Sequence, residues 1–238
     1  MAVFGMEGWL VLLRWLHFLA GITWIGILYY FNFVQTPFFA ETDPPVRTGA
    51  IQKLVPRALW WFRWGAMFTF LSGWLITLHR IGEAGFAGFF TQGSYGWAII
   101  AGGTMGTIMW ANVWFVIWPA QKVVIESTNR WAQEGQAIAQ AAARGRRAGL
   151  ASRTNTLFSI PMLFFMGTAS HLTLFGQATA GPMTAMVIIG GAIIGLVELN
   201  CLIGTTGTTK KPLDSVSGTI WSGFILAAIL YLLFEFLF

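Results

Sequence analysis

Charge is scarce in this sequence. Of its 238 residues, 10% are charged and 56% are hydrophobic, whereas soluble domains contain about 25% charged residues. A helix needs roughly 20 mostly apolar residues to cross a bilayer. Residues 15–40, 64–79, 84–121, 154–197 and 215–234 contain no Asp, Glu, Lys or Arg. The composition therefore excludes a soluble globular protein and predicts an all-α, polytopic integral membrane protein.

Cysteine is scarcer still, since Cys201 is the single one. One cysteine excludes a disulfide framework, a pair of thiolate metal ligands and the C-x-x-C-H motif that attaches haem covalently, so no fused cytochrome c domain is expected. The short alternating segments of an outer-membrane barrel are missing. The sequence also has no nucleophile elbow and no phosphate-binding G-x-x-x-x-G-K-[ST] loop. It therefore gives no support to a hydrolase or nucleotide-binding function.

The long apolar stretches predict about six transmembrane helices in a single domain, 1–238. The stretch 154–197 must contain two helices, because Gly176 to Pro182 is typical of a turn. The loop over residues 120–153 is expected to be basic and helical, and either to continue the third span or to lie on the membrane surface. The expected spans are residues 9–33, 59–79, 97–118, 154–175, 183–203 and 216–238.

The basic residues predict the orientation. Lys and Arg number three in the loop between spans one and two, six between spans three and four, and two between spans five and six. The loops on the opposite side have Arg80 alone. By the positive-inside rule both termini lie outside, in the periplasm of a diderm bacterium, and the protein lies in the inner membrane. Because the positive charges gather in short loops, nucleic-acid binding is not expected.

Three histidines and one arginine are the candidate site residues. His17 lies eight residues into the first span, about 12 Å below its start at 1.5 Å per residue. His79 is at the outer end of the second span, and His171 is about one turn before Phe175 in the fourth. Imidazoles at one level between helices can hold haem b or a transition metal. His17 and His171 are the preferred axial pair for a haem iron, with His79 as a supporting or alternative ligand.

Arg14 precedes His17 by three residues and therefore shares its helix face. Its guanidinium can bind a haem propionate, because the two groups match in geometry. An equal alternative for Arg14 is that its side chain extends to the lipid headgroups. For His79 the alternative is a position at the membrane–water interface. A copper or zinc site is the second hypothesis for the histidines, although no carboxylate or cysteine completes a short ligand motif. No catalytic residue can be named.

A second group of polar residues lies toward the cytoplasmic ends of the spans. Asn112 belongs to span three, and Glu198 and Asn200 belong to span five. Glu198 is either a proton-relay or substrate-binding group or a structural, paired helix residue. The spacings Gly102-x-x-x-Gly106 and Gly191-x-x-x-Gly195 predict close helix packing.

Three motifs resemble the urate oxidase N-terminal family, the membrane domain of bacterial membrane-bound urate hydroxylases. They are Arg14-Trp-Leu-His17-Phe-Leu-Ala-Gly-Ile-Thr-Trp-Ile-Gly26, Asn112-Val-Trp-Phe-Val-Ile-Trp-Pro-Ala-Gln-Lys122 and Ser152-Arg-Thr-Asn-Thr-Leu-Phe-Ser-Ile-Pro-Met-Leu-Phe-Phe-Met166. The helix around His17 is also similar to the first helix of the copper-resistance D proteins and the J-type protoporphyrinogen oxidases. In the latter a first-helix histidine is associated with haem b, so this likeness implies haem ligation by His17.

The resemblance implies a membrane oxidoreductase that transfers electrons or oxidises a small molecule. The urate hydroxylases carry a cytochrome c domain that accepts electrons outside, and this chain has no haem-attachment motif. A stand-alone member would pass electrons to a separate cytochrome c or a respiratory complex. The alternative function is a non-catalytic accessory subunit of a respiratory or photosynthetic assembly in the lipid bilayer. A metal or solute transporter ranks last, because inverted repeats and broken helices are not evident.

Overall fold

The protein is a bundle of α-helices. The computed structural model describes residues 5–238. Within that range there is no β-strand, and the all-helical prediction is confirmed. The helices are α1 Met6–Tyr29, α2 Thr36–Glu41, α3 Pro44–Lys53, α4 Val55–Ala84, α5 Phe86–Thr91, α6 Tyr95–Ala111, α7 Trp118–Glu134, α8 Ala141–Thr168, α9 Ala180–Leu202 and α10 Val216–Leu237, with π-helical segments Tyr30–Gln35 and Asn112–Ile117 and a 3-10 helix Thr208–Asp214.

The two π-helical segments join shorter helices into continuous rods over Met6–Glu41 and Tyr95–Glu134. Pro37 and Pro119 follow them in the first turns of α2 and α7. Proline has no N–H for an α-helical hydrogen bond, and its ring crowds the carbonyl four residues earlier. The wider turn removes that conflict, because Thr36 and Trp118 donate their backbone N–H to the carbonyls five residues back. The sequence analysis predicted neither segment.

Helix α8 is the centre of the bundle. It contacts α1, α6, α7, α9 and α10. Between Leu150 and Met162 all its side chains except Ser152 and Ile160 are buried. A helix buried on all sides is normally apolar throughout, yet α8 buries several hydroxyl and amide groups here. The hydroxyls of Thr156 and Ser159 donate to carbonyls of α8 itself, whereas the Asn155 amide bonds to residues outside α8.

Glycines allow three of the helix pairs to approach closely. A Cβ on Gly65 of α4 would lie 3.1 Å from the Trp24 backbone nitrogen of α1, and one on Gly102 of α6 would lie 3.2 Å from the Met162 carbonyl oxygen of α8. Gly223 of α10 meets α8 in the same way. The predicted packing of the first glycine pair is thus confirmed at Gly102. For the second pair it is wrong, because nothing lies within 4 Å of a Cβ on Gly191 or Gly195.

Four helical segments are long and apolar enough to cross a membrane: Met6–Glu41, Tyr95–Glu134, Ala180–Leu202 and Val216–Leu237. They coincide with four of the six expected spans. The other two expected spans fall on α4 and α8. The charge-free part of α4 lies between Arg63 and Arg80, and that of α8 follows Arg153. The protein is therefore a membrane protein with at least these four candidate spans, and a count of six stays a prediction.

The expected fourth span, 154–175, differs from the helix that the structure contains. α8 begins at Ala141 and ends at Thr168. The chain then turns, because the Leu174 N–H donates to Ser94 Oγ at 2.9 Å and the Ala178 N–H donates to the Thr91 carbonyl at 3.3 Å. These bonds tie the turn to the α5–α6 connection. In residues 120–153, α7 continues the third expected span. This was one of the two alternatives for that loop.

The glycine contacts predict a difference between two Gly→Ala variants. In Gly223→Ala the new Cβ would lie 2.9 Å from the Leu157 carbonyl oxygen, a backbone atom that cannot move alone, and overpacking costs about 1–3 kcal/mol. Gly191→Ala meets open space and gains helix propensity of up to about 1 kcal/mol. Thermal unfolding in detergent, followed by a thiol-reactive dye on buried Cys201, should show a lower Tm for Gly223→Ala only. Equal Tm values would contradict the α8–α10 contact.

Candidate functional site

His17 lies on the side of α1 that packs against α4. Its side chain is half-buried, and its Nδ1 is 3.2 Å from Ser72 Oγ. Gly73 provides the space for the ring, because a Cβ at this position would lie 2.9 Å from His17 Cε1. The imidazole is therefore held between the two helices by one hydrogen bond and one close contact.

Ser72 determines which nitrogen of His17 carries the proton. Ser72 Oγ lies 2.6 Å from the Phe68 carbonyl oxygen, which can only accept a hydrogen bond, so the hydroxyl donates there. The same oxygen then accepts from Nδ1–H of His17, and the neutral ring keeps its lone pair on Nε2. This tautomer follows from the hydrogen-bond network, in which one direction alone satisfies both contacts. A metal-ligating histidine is oriented in the same manner through its other ring nitrogen.

Arg14 lies one helical turn before His17 and lines a cleft of about 710 Å³. The cleft opens at the end of the bundle where α4 ends and α6 begins, which we name the histidine end (Arg14, His17, His79, His171). Both cationic and anionic groups surround it. Its lining residues are Arg14, Arg80, Glu83, Ala84, Gly88, Phe89, Gln92, Tyr95 and Ser170.

His79 and Arg80 share a carboxylate at this end. His79 Nε2 lies 3.3 Å from one Glu83 oxygen, and Arg80 Nη1 lies 2.9 Å from the other. Desolvation raises the pKa of Glu83, but the hydrogen bond from Arg80 and the charges of His79 and Arg80 lower this pKa by more. Glu83 is therefore a carboxylate at neutral pH. His79 is paired within its own helix rather than directed at His17.

His171 is exposed in the turn that follows α8. It lines a second cleft of about 330 Å³ beside the first, and the two clefts share Gln92, Tyr95 and Ser170. Arg14 and His171 thus border adjoining clefts. Among residues 5–238, no hydrogen bond joins His17 to His171, and the turn rather than a helix carries His171. The axial pair stays a prediction.

No group of three or more His, Cys, Asp or Glu side chains within the described range could hold a metal ion. The histidine end instead offers one imidazole with a free Nε2, one guanidinium and a polar cleft. Chemically, these groups can ligate a single iron atom and bind an anion.

A second polar cluster, which we name the α8 network, lies within the apolar part of the bundle. Tyr29 of α1 places its hydroxyl 2.8 Å from Ser159 Oγ. Asn32, in the first π-helical segment, donates to Ser152 Oγ at 2.8 Å and to the Leu28 carbonyl at 2.9 Å. Asn32 and Ser159 are buried. These contacts tie the first rod to α8.

The centre of the α8 network is formed by two asparagines and a glutamate. Asn112, in the second π-helical segment, donates through Nδ2 to Asn155 Oδ1 at 2.9 Å and to Glu198 Oε2 at 3.0 Å. Asn155 Nδ2 in turn donates to the Met109 carbonyl oxygen at 2.9 Å. Asn112 and Asn155 are almost fully buried. Three helices are therefore joined by one chain of hydrogen bonds.

Basic side chains cap the end of α9 next to this network. Arg147 of α8 donates to the carbonyls of Cys201 and Leu202 at 2.6 and 2.7 Å, and Lys210 Nζ donates to the Asn200 carbonyl. Arg146 Nη2 lies 2.8 Å from Asp214 Oδ1. Cations at a helix C-terminus stabilise its dipole. Several basic residues of the predicted loops thus bind the protein itself.

Sequence reasoning predicted Arg14, the histidines, Asn112 and Glu198 as separate residues, and missed Asn155, Asn32 and Tyr29. Asn155 lies within the third motif. Its spacing from Ser152 and Ser159, three before and four after, places all three on one helix face. That polar face in a charge-free stretch was the signal from which the α8 network could have been predicted.

Apolar helices around a buried polar network define an integral membrane protein of the α-helical class. Residues 85–200 match the model of the family described as urate oxidase N-terminal. This match confirms the resemblance predicted from the motifs: over these residues the chain is similar to the urate oxidase N-terminal family. No curated protein and no solved structure matches the chain. Asn112, Asn155 and Glu198 lie inside the matched region, whereas Arg14 and His17 lie outside it.

Removal of Asn155 should destabilise the protein more than removal of an exposed polar side chain. Asn155→Ala leaves Asn112 without one of its two acceptors and removes the side-chain donor to the Met109 carbonyl, which costs about 1–3 kcal/mol. Thr104→Ala, on the exposed side of α6, is the matched control. Unfolding in detergent would measure both variants. An unchanged free energy of unfolding in Asn155→Ala would contradict the structural role of the network.

A double-mutant cycle with Asn112→Ala isolates the contact itself. Residues in one hydrogen-bond network couple by about 0.5–3 kcal/mol, so the double variant should be less destabilised than the sum of the single ones. Additive effects would show that the two asparagines act independently.

Proposed function

We propose that this protein is a haem b protein of the bacterial inner membrane. It transfers electrons or oxidises a small molecule at the outer face, in the manner of a urate hydroxylase membrane domain. The observation that carries the proposal is His17, whose Nδ1 is bound to Ser72 and whose Nε2 is thereby available to a ligand. The match to the urate oxidase N-terminal family over residues 85–200 supports the same class of function.

The proposal includes an orientation. Six spans, with α4 and α8 as the second and fourth, place the histidine end outside, and the basic first part of α8 and the C-terminus of α9 inside. The charge distribution supports this, because six of the Lys and Arg residues fall in residues 120–153 and cytoplasmic loops are enriched in Lys and Arg. The termini then lie on the periplasmic side.

The residues at the histidine end fit a haem group. His17 would ligate the iron through Nε2, and Arg14 would bind a propionate, since guanidinium and carboxylate groups match in geometry. His171, which borders the adjoining cleft, would supply a second imidazole. A bound haem supplies one-electron redox chemistry, and its potential depends on axial ligands and burial. The chain's own part is to fix the tautomer of His17 and to provide a cation for a carboxylate.

An acceptor at the outer face completes this function. In the proposed orientation the cleft beside Arg14 opens to the periplasm, so a soluble cytochrome c or a neighbouring respiratory complex could receive the electrons there. The exchange would involve one electron at a time, as haem chemistry requires. No catalytic base or nucleophile is assigned.

The alternative function is that of a non-catalytic subunit in a larger respiratory or photosynthetic complex. The observation in its favour is the apolar face of α9, where Val187, Ile188, Leu196 and Leu199 are exposed together with the small Gly191. Such a face packs against lipid or against a helix of another protein. Migration of the haem-free chain with a larger assembly on native gels would favour this function.

Two histidine variants test the ligand assignment. We expect that His17→Ala and His171→Ala each lose the reduced-minus-oxidised haem spectrum while the protein still inserts, because each removes a proposed axial ligand. His17→Gly supplied with free imidazole should recover part of the spectrum. A full spectrum in both alanine variants would contradict the assignment.

Two glycines of α4 provide the matched control. Gly73→Ala places a Cβ 2.9 Å from the His17 ring and should shift the position or amplitude of the haem bands, whereas Gly82→Ala meets no atom within 4 Å and should not. Equal spectra for the two variants would show that the ring position does not affect the haem.

A further inference from the structure

Glu198 has no role in the function proposed above, yet it is the one Asp, Glu, Lys or Arg within α9. It lies at the end of a charge-free stretch that begins at residue 154. Its side chain is half-buried, and Oε2 accepts a hydrogen bond from Asn112 Nδ2 at 3.0 Å. A carboxyl group in this position is costly as an isolated anion, so its surroundings decide its chemistry.

No cation is paired with Glu198 among the described residues. The elements packed against α9 are α8, α10 and the 3-10 helix. Arg147 and Lys210 donate to backbone carbonyls of α9, and Arg146 is paired with Asp214. The other ionisable residues on those elements are Arg144, Arg153, Lys211, Tyr231 and Glu235, and Cys201 lies one turn further along α9 itself. The one hydrogen bond that the structure gives Glu198 comes from the neutral amide of Asn112.

The geometry of Asn112 favours a proton over a metal cation at this site. Asn112 presents its N–H, not its oxygen, to Glu198, and Asn155 Oδ1 is occupied by the other N–H. A metal ion such as Ca²⁺ or Mg²⁺ requires several oxygen ligands directed at one point. Here a single carboxyl faces amide hydrogens, which repel a cation.

We propose that Glu198 is a proton-binding group in the membrane-embedded part of the bundle. The carboxylate takes up one proton at Oε1 to give the carboxylic acid and releases it again, with no change in electron count. Oε2 can remain bound to Asn112 in both forms, because a carboxylate oxygen and the carbonyl oxygen of the acid both accept a hydrogen bond from an amide N–H. The network thus keeps its geometry while the proton enters and leaves.

Carbodiimide labelling tests this proposal on the full chain in lipid nanodiscs. Dicyclohexylcarbodiimide is apolar and adds to protonated carboxyl groups, whereas a water-soluble carbodiimide reaches exposed ones. We expect peptide mass spectrometry to find the apolar adduct on Glu198 at neutral and mildly acidic pH, with labelling that falls at alkaline pH. The water-soluble reagent should label Glu198 several-fold less.

Two isosteric variants make the outcome specific. Glu198→Gln keeps the acceptor for Asn112 and should fold normally, but should lose the adduct and the infrared C=O band of a protonated carboxyl. Glu235→Gln, at the far end of α10, should retain both. The proposal is overturned if Glu198 stays unlabelled while Glu235 is labelled, if both reagents label Glu198 equally, or if Glu198→Gln leaves the infrared band unchanged.

Discussion

The hydrogen bond between Asn112 and Asn155 is the contact on which the rest of the bundle depends. It lies where water is excluded, and a polar group left unpaired there would cost several kcal/mol. Each asparagine can be buried because the other is present, at an N···O distance of 2.9 Å. α8 can therefore be polar on one face and still lie at the centre, provided that α1, α6 and α9 are placed to supply its partners.

The π-helical segments meet this requirement. Asn32 and Asn112 both lie within such segments, both are buried, and both donate to α8. π-helical turns are uncommon and occur often at functional sites. In this chain they accommodate the following proline and occur where a side-chain amide meets α8. The two π-helical segments thus explain both the shape of the rods and the position of the α8 network.

Much of the fold could be predicted from the sequence, because long charge-free stretches have few other structures available to them. The helical class and the turn before Pro182 followed from apolar length and from proline and glycine, and a helix that continues the third span was one of two alternatives for residues 120–153. The end of α8 did not, because the turn that follows it donates hydrogen bonds to Ser94 and Thr91 of another segment. The glycine spacings illustrate the same limit, since Gly102 packs against α8 and Gly191 packs against nothing. A spacing identifies a possible contact, but the fold decides which is formed.

For the candidate site, the sequence predicted residue types rather than their pairing. His17 was found by its depth in an apolar helix, but its contact with Ser72 joins residues far apart in the chain. His17 and His171 were expected at one level; in the structure it is Arg14 and His171 that border adjoining clefts. The α8 network was missed because its asparagines and serines carry no charge.

The most direct test of the haem proposal is a reduced-minus-oxidised visible spectrum of the detergent-purified chain, with the haem quantified as its pyridine complex. We predict a b-type α-band at close to one haem per chain. A chain that is folded, as judged by the protection of Cys201 from thiol reagents, and that contains no haem after expression with ample haem supply would contradict the proposal.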